Sequence, residues 1–261
     1  MVTEPAQQRA QGLFLLITPW EFGHRSASAH HTEPFRHAPF YKNEKGVKEL
    51  KDALQGLPGS QEESPVCIFA SPYYSFVPED LYEEGDQKRM LDLAFSEDLE
   101  EADLRTERSQ VTDTRIVHWY PRILRDALTE AYPGFVPLHF TVPAIETLLG
   151  VHVRTGKACG LAHIRHGEVD VGFAAQGGLR LFNSFSYATA EELVYFTLHT
   201  WRTCGAGEEL EQFHITGTTE QGSEKELLQR YIEEPVLHED GEGSWRSFLL
   251  EEISEFADHK R

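Results

Sequence analysis

Long apolar runs are missing from this chain. No stretch approaches the roughly 20 apolar residues that a membrane-spanning helix needs. The start, MVTEPAQQRAQG, has neither the basic flank nor the apolar stretch of a secretion signal. Cysteine is scarce: Cys67, Cys159 and Cys204 are odd in number, far apart and without a C-x-x-C pair. That pattern fits reduced thiols in a reducing compartment, so a soluble, cytoplasmic protein is expected. Two of the cysteines lie in apolar runs that read as strands and the third at a helix end, where a buried structural thiol is the default.

Basic charge is also short. Lys and Arg total 24 against 43 Asp and Glu, a net charge of −19. The excess is concentrated in two stretches. Residues 79–108 hold 12 acidic and 4 basic side chains, and residues 208–261 hold 15 and 5. Such a surface repels nucleic-acid phosphates and anionic lipid, so neither direct nucleic-acid contact nor a membrane partner is expected. It reads first as a solvated surface, and more sharply as a face for a basic protein partner. Nothing here fixes an oligomeric state.

Catalytic signatures are absent as well. The chain has no G-x-S-x-G, no Walker A loop and no G-x-G-x-x-G. His24, His30, His31 and His37, with Glu33 nearby, match no zinc spacing and read as a solvated loop. Glu233-Glu234 and Glu251-Glu252 read as solvated helix faces. No metal, cofactor or catalytic residue is assigned.

What is present is a core and a regular plan. Hydrophobic residues make up 40% of 261, enough for one large domain or two lobes. Leu13–Ile17 reads as a buried strand, and Glu21–Ser28 as a returning one. Residues 29–39 have no period and read as loop. Glu44–Leu57 reads as a helix, Val66–Ala70 and Tyr73–Val77 as strands, Asp86–Phe95 as a helix and Arg115–Trp119 as a strand. Tyr120, Ile123, Leu124, Ala127, Leu128 and Ala131 mark an amphipathic helix with Pro121 in its first turn. Phe135–Phe140 reads as a strand and Pro143–Leu149 as a short helix.

The second half opens with a meander. Cys159–Arg165, Glu168–Ala174 and Leu179–Phe185 are joined by short Gly-bearing turns. Thr189-x-x-Glu192 is a capping box for a nearly all-apolar helix, Glu191–Trp201, expected to be buried. Phe213–Thr216 reads as a strand. Ser223-x-x-Glu226 opens a helix through Ile232, and Ser244–Phe256 reads as a last helix. The plan is α/β, with two lobes, 1–150 and 151–261, meeting near Gly150.

Five stretches in order, YYSFVPEDLY (73–82), Trp119–Pro133, HIRHGEVDVGF (163–173), LFNSFSY (181–187) and FHITG (213–217), resemble a bacterial family defined only as a domain of unknown function. The resemblance implies a two-lobed actin-like ATPase (ribonuclease H-like) fold. It carries no activity over.

An active protein of that superfamily holds nucleotide phosphates between two hairpins, one per lobe, whose turns offer backbone N–H groups. An Asp at the hairpin start handles Mg²⁺. Here the first candidate hairpin, LFLLITPWEFGHRS, has no Asp, and Pro19 removes a donor. In the second, GLAHIRHGEVDV, His163 stands about where the Asp is expected, the turn is only His166-Gly167, and Asp170 lies on the far strand. The fold is therefore read as degenerate: a non-catalytic scaffold or adaptor. The alternative is a nucleotide-dependent enzyme with an atypical site near His163 and Gly217, with Arg165 as an anion-binding candidate. Gly217, between a strand and a capped helix, could also be an ordinary connection.

Overall fold

The computed structural model describes residues 13–25, 30–57, 64–96, 102–109, 111–204, 212–217, 223–232 and 235–237. The helix expected over 244–256 lies outside them.

The chain begins as an antiparallel meander, β1 (Phe14–Ile17), β2 (Glu21–Arg25) and β3 (His30–Pro34). β3 corrects the loop expected over 29–39. It is an edge strand, so it needs no apolar alternation to hold its register, which pairs His31 with His24 and His30 with Arg25. α1 (Glu44–Gln55) starts where the Asn43 side chain accepts from the Gly46 N–H at 2.8 Å. β4 (Val66–Phe69) then enters parallel to β1.

β5 (Tyr74–Pro78) leaves that sheet. With β6 (Ala102–Arg108) and β7 (Thr114–Pro121) it forms a separate three-stranded sheet in the order β5-β7-β6, covered by α2 (Gln87–Ala94). The charge-rich β6, ADLRTER, was not read as a strand because its apolar content is too low. Pro121 ends β7 and precedes α3 (Arg122–Ala131), one position earlier than expected. β8 (Val136–His139) completes the first sheet. α4 then runs from Thr141 to Thr155, well beyond the short helix expected, and ends at Gly156 in the left-handed region. Residue 150 lies within it.

The second half repeats the first sheet. β9 (Cys159–Arg165), β10 (Glu168–Ala175) and β11 (Gly178–Ser186) are antiparallel. α5 (Ala190–Cys204) crosses to β12 (Gln212–Gly217), parallel to β9. α6 (Ser223–Gln229) crosses to β13 (Val236–Leu237), parallel to β12. The two five-stranded sheets share one plan, β3-β2-β1-β4-β8 and β11-β10-β9-β12-β13. Each is three antiparallel strands continued by two parallel ones.

α4 sits between them. Val142, Ile145, Leu148 and Leu149 pack against Leu16, Ile68 and Leu138 on one side and Leu161 and Phe182 on the other. Residues 141–149, buried at every position but Glu146, need such a place. Gly172 permits the close approach: a Cβ there would stand 2.8 Å from both Leu148 and Phe182. The outer face of the first sheet packs on α1 and α3 through Leu50, Leu54, Leu124 and Leu128. The outer face of the second packs on α5 and α6 through Leu193, Val194 and Leu228.

α5 is not enclosed as expected. Leu193, Val194, Thr197 and Thr200 are buried, Phe196 is half-buried, and Tyr195 faces solvent. Half of its capping box forms: the Glu192 N–H donates to Thr189 Oγ1 at 3.3 Å, while Glu192 Oε2 accepts from the Ala188 N–H, one residue before the cap, at 2.7 Å. No disulfide joins the three cysteines, and burial raises the Cys67 thiol. Among the described residues no helix is long and apolar enough to cross a membrane.

Candidate functional site

Side chains alternate across a strand. The register sets Asp170 opposite His163, Glu168 opposite Arg165 and Thr216 opposite His163. All five therefore share the face of the second sheet that looks toward the first half, while Ala162, Ile164, Val169 and Val171 pack on the helices behind. Asp170, which the sequence placed on the wrong strand for its task, lies beside the other candidates.

This polar face is buried and internally satisfied. Arg165 forms a bidentate pair with Asp170, Nε to Oδ2 and Nη2 to Oδ1, both 2.8 Å, and Nη1 reaches Glu168 Oε2 at 2.6 Å. Burial alone would favour a neutral guanidine, but the two carboxylates hold Arg165 firmly charged. Burial raises the Glu168 carboxyl, and Asp170 adds to that while Arg165 opposes it. With its guanidinium committed to two carboxylates, Arg165 cannot serve as the anion site considered from the sequence.

Ser184 on β11 also donates to Asp170 Oδ1. Its single proton is used there, so the Tyr74 hydroxyl, 3.1 Å away, donates to Ser184 Oγ. That contact links β11 to β5 and so crosses between the halves. His163 crosses it too. Its Nδ1 lies 3.0 Å from Thr216 Oγ1, and its ring stacks on Phe140 at 4.4 Å.

Beyond Tyr74 the contacts continue into residues the sequence reading passed over. The His139 ring lies 5.2 Å from Tyr74 and 4.6 Å from His118. Glu107 Oε1 is 3.0 Å from His118 Nε2 and accepts from the His139 N–H at 2.7 Å. The Thr141 N–H donates to His139 Nδ1 at 3.2 Å, which places the neutral ring's proton on Nε2. Burial holds His139 well below its ordinary pKa, helped by His118 and Arg165. The signal was a lone polar residue inside an otherwise apolar strand, in RIVHWY and in VPLHF.

The two hairpin turns decide whether nucleotide phosphates fit. In the first, Thr18 Oγ1 accepts from the N–H groups of Trp20 at 3.1 Å and Glu21 at 3.0 Å. The Thr18 N–H donates to the Glu21 carbonyl at 3.0 Å. Pro19 has no N–H. Every amide from 18 to 21 is thus absent or already bonded within the turn. In the second, Gly167 adopts φ 64° in a two-residue turn, and its carbonyl accepts from Tyr187. The turns also touch: the Trp20 and His166 rings are 4.6 Å apart. The first turn thus leaves no amide over for a phosphate, and the second is two residues long.

Gly217, at φ 96°, ends β12 against β9. A Cβ there would come within 1.9 Å of the Ile164 carbonyl, so glycine is required by packing alone. Among the described residues no three His, Cys, Asp or Glu side chains are grouped to hold a metal ion. His24 and His31 are cross-strand neighbours, not members of a common loop.

Solved structures share this architecture. A crystallised Bacteroides thetaiotaomicron protein with an actin-like ATPase fold and unknown function matches with a TM-score of 0.71 at 15% identity, over 97% of this chain and 99% of that one. A PilM–PilN type IV pilus biogenesis complex matches at 0.56 and 12% identity, over 93% and 97%. A non-polymerisable pCBH ParM quadruple mutant matches at 0.51 and 7% identity, over 95% and 99%. No curated protein matches the chain in sequence. The fold is that of the actin-like ATPases. Residues 60–234 match the model of one family, and the chain belongs to it: Protein of unknown function (DUF3822).

Proposed function

We propose that this chain is a non-catalytic member of the actin-like fold, an adaptor whose two lobes are held together by its own side chains in place of a nucleotide. The observation that carries the reading is the junction of the hairpins, where Trp20 meets His166 and the amides of the first turn are spent internally. The Arg165 cation between Asp170 and Glu168 supports it, because it neutralises carboxylates that a bound metal could otherwise have served. In this reading the lobes are 1–150 and 151–261, with α4 packed between their sheets, and the protein works in the cytoplasm beside a basic protein partner. That a similar fold occurs in a PilM–PilN type IV pilus biogenesis complex supports a role in protein assembly.

The competing reading, a nucleotide-dependent enzyme centred on His163 and Gly217, has against it that His163 is committed to Thr216 and Phe140 and that Gly217 is closed against β9. Phosphate release and thermal stability measured together test the choice. The adaptor gives no release with Mg-ATP and no rise in melting temperature at millimolar nucleotide, since only ligands that bind the native state stabilise it. Turnover, or a nucleotide-dependent rise, would establish the enzyme.

A further inference from the structure

We infer that the solvent face of α5 docks an arginine-bearing segment of a basic protein partner, an inference that rests on the adaptor reading and deepens it. Residues three and four apart share a helix face. Glu191, Glu192, Tyr195, Phe196 and His199 therefore form one surface. Its aromatic rings make a ladder. Phe185 of β11 stacks on Phe196 at 4.9 Å and 8°, Phe196 meets Tyr195 edge-on at 5.5 Å, and Tyr195 stacks on His199 at 5.4 Å and 8°. Tyr195 is 59% exposed, so the ladder ends in solvent and leaves the core to Leu193 and Val194 on the other side.

The chemistry of this face selects the occupant. Glu191 and Glu192 are exposed, and Glu191, one turn before Tyr195, is the carboxylate nearest that ring along the helix, while one oxygen of Glu192 accepts from the Ala188 N–H. A carboxylate one turn from the exposed Tyr195 ring, whose other face stacks on His199, suits a guanidinium, which lies flat on a ring while its edge donates to carboxylate. A lysine ammonium gains less from both. Arg202, on the same face about 10 Å beyond Tyr195, repels a second cation and directs the segment to the first half of the helix. The net charge of −19 draws a basic partner toward the surface.

Anisotropy of fluorescein-labelled nona-arginine and nona-lysine, titrated with the full chain at about 150 mM salt to screen distant charges, tests this. The expected result is tighter binding of the arginine peptide. Tyr195→Ala and Glu191→Gln should each weaken it by about two- to fivefold, with circular dichroism unchanged. Glu83→Gln/Glu84→Gln, on the distant acidic stretch, should leave it unaltered. Equal affinity for the two peptides, no effect of Tyr195→Ala, or a dimer that Tyr195→Ala dissolves would overturn the inference. The adaptor reading stands or falls separately, on nucleotide binding.

Discussion

At the scale of single residues, the polar face of the second sheet behaves as a closed charge system. Removing one member should cost more than removing a surface ion pair. Arg165→Met leaves Asp170 and Glu168 buried without their cation, and a loss of about 3–5 kcal/mol is expected in urea denaturation. Lys88→Met, at the exposed pair with Asp92 one turn on, should cost less than about 1 kcal/mol.

His139 adds a dependence on pH. Its ring is neutral in the fold, whereas the unfolded ring titrates near the ordinary value of 6.5. The unfolded chain therefore takes up the proton first. The stability tied to this ring is complete above 6.5 and falls as pH drops through it, by up to about 1.4 kcal/mol per unit. Glu168, raised by burial, works in the opposite sense, so comparison with a variant isolates the histidine. His139→Gln should show a shallower decline between pH 6.5 and 5.5 than the parent. Equal slopes would mean that His139 is protonated in the fold or solvated.

At the scale of elements, the second-half meander, the Thr189 cap of α5 and the apolar strands were readable, because their alternation and turn residues are local properties. α5 shows the limit of that approach. Its run Leu193–Phe196 is wholly apolar, but Leu193 and Val194 face the core while Phe196 is half-buried against Phe185 and Tyr195 faces solvent. Phe196, half-buried against Phe185, should therefore cost about 1–2 kcal/mol as alanine. Leu193, fully buried, should cost about 2–5. A larger loss at Phe196 than at Leu193 in the same titration would place the helix the other way round. The strands that escaped, β3, β6 and the two-residue β13, lie at sheet edges. Edge strands take their register from a partner's backbone, which leaves little trace in side-chain pattern. α4 runs past Leu149 into turns that are mostly exposed and that a glycine, His152 and Arg154 interrupt, so the apolar signal stops before the helix does.

At the scale of the molecule, the repeated strand order, the helix between the sheets and the contacting turns form one arrangement. His163, Arg165 and Gly217 were visible in the sequence as candidates. Their roles were not, because these depend on partners in other strands: Thr216 and Phe140 for His163, Asp170 and Glu168 for Arg165, and the Ile164 carbonyl for Gly217. Trp20 against His166 joins residues far apart in the chain, so the contact on which the proposed adaptor reading rests left no local pattern. Isothermal titration of the intact chain with Mg-ATP bears on this most directly. The account predicts no saturable heat up to millimolar nucleotide. A saturable isotherm with micromolar affinity would contradict it.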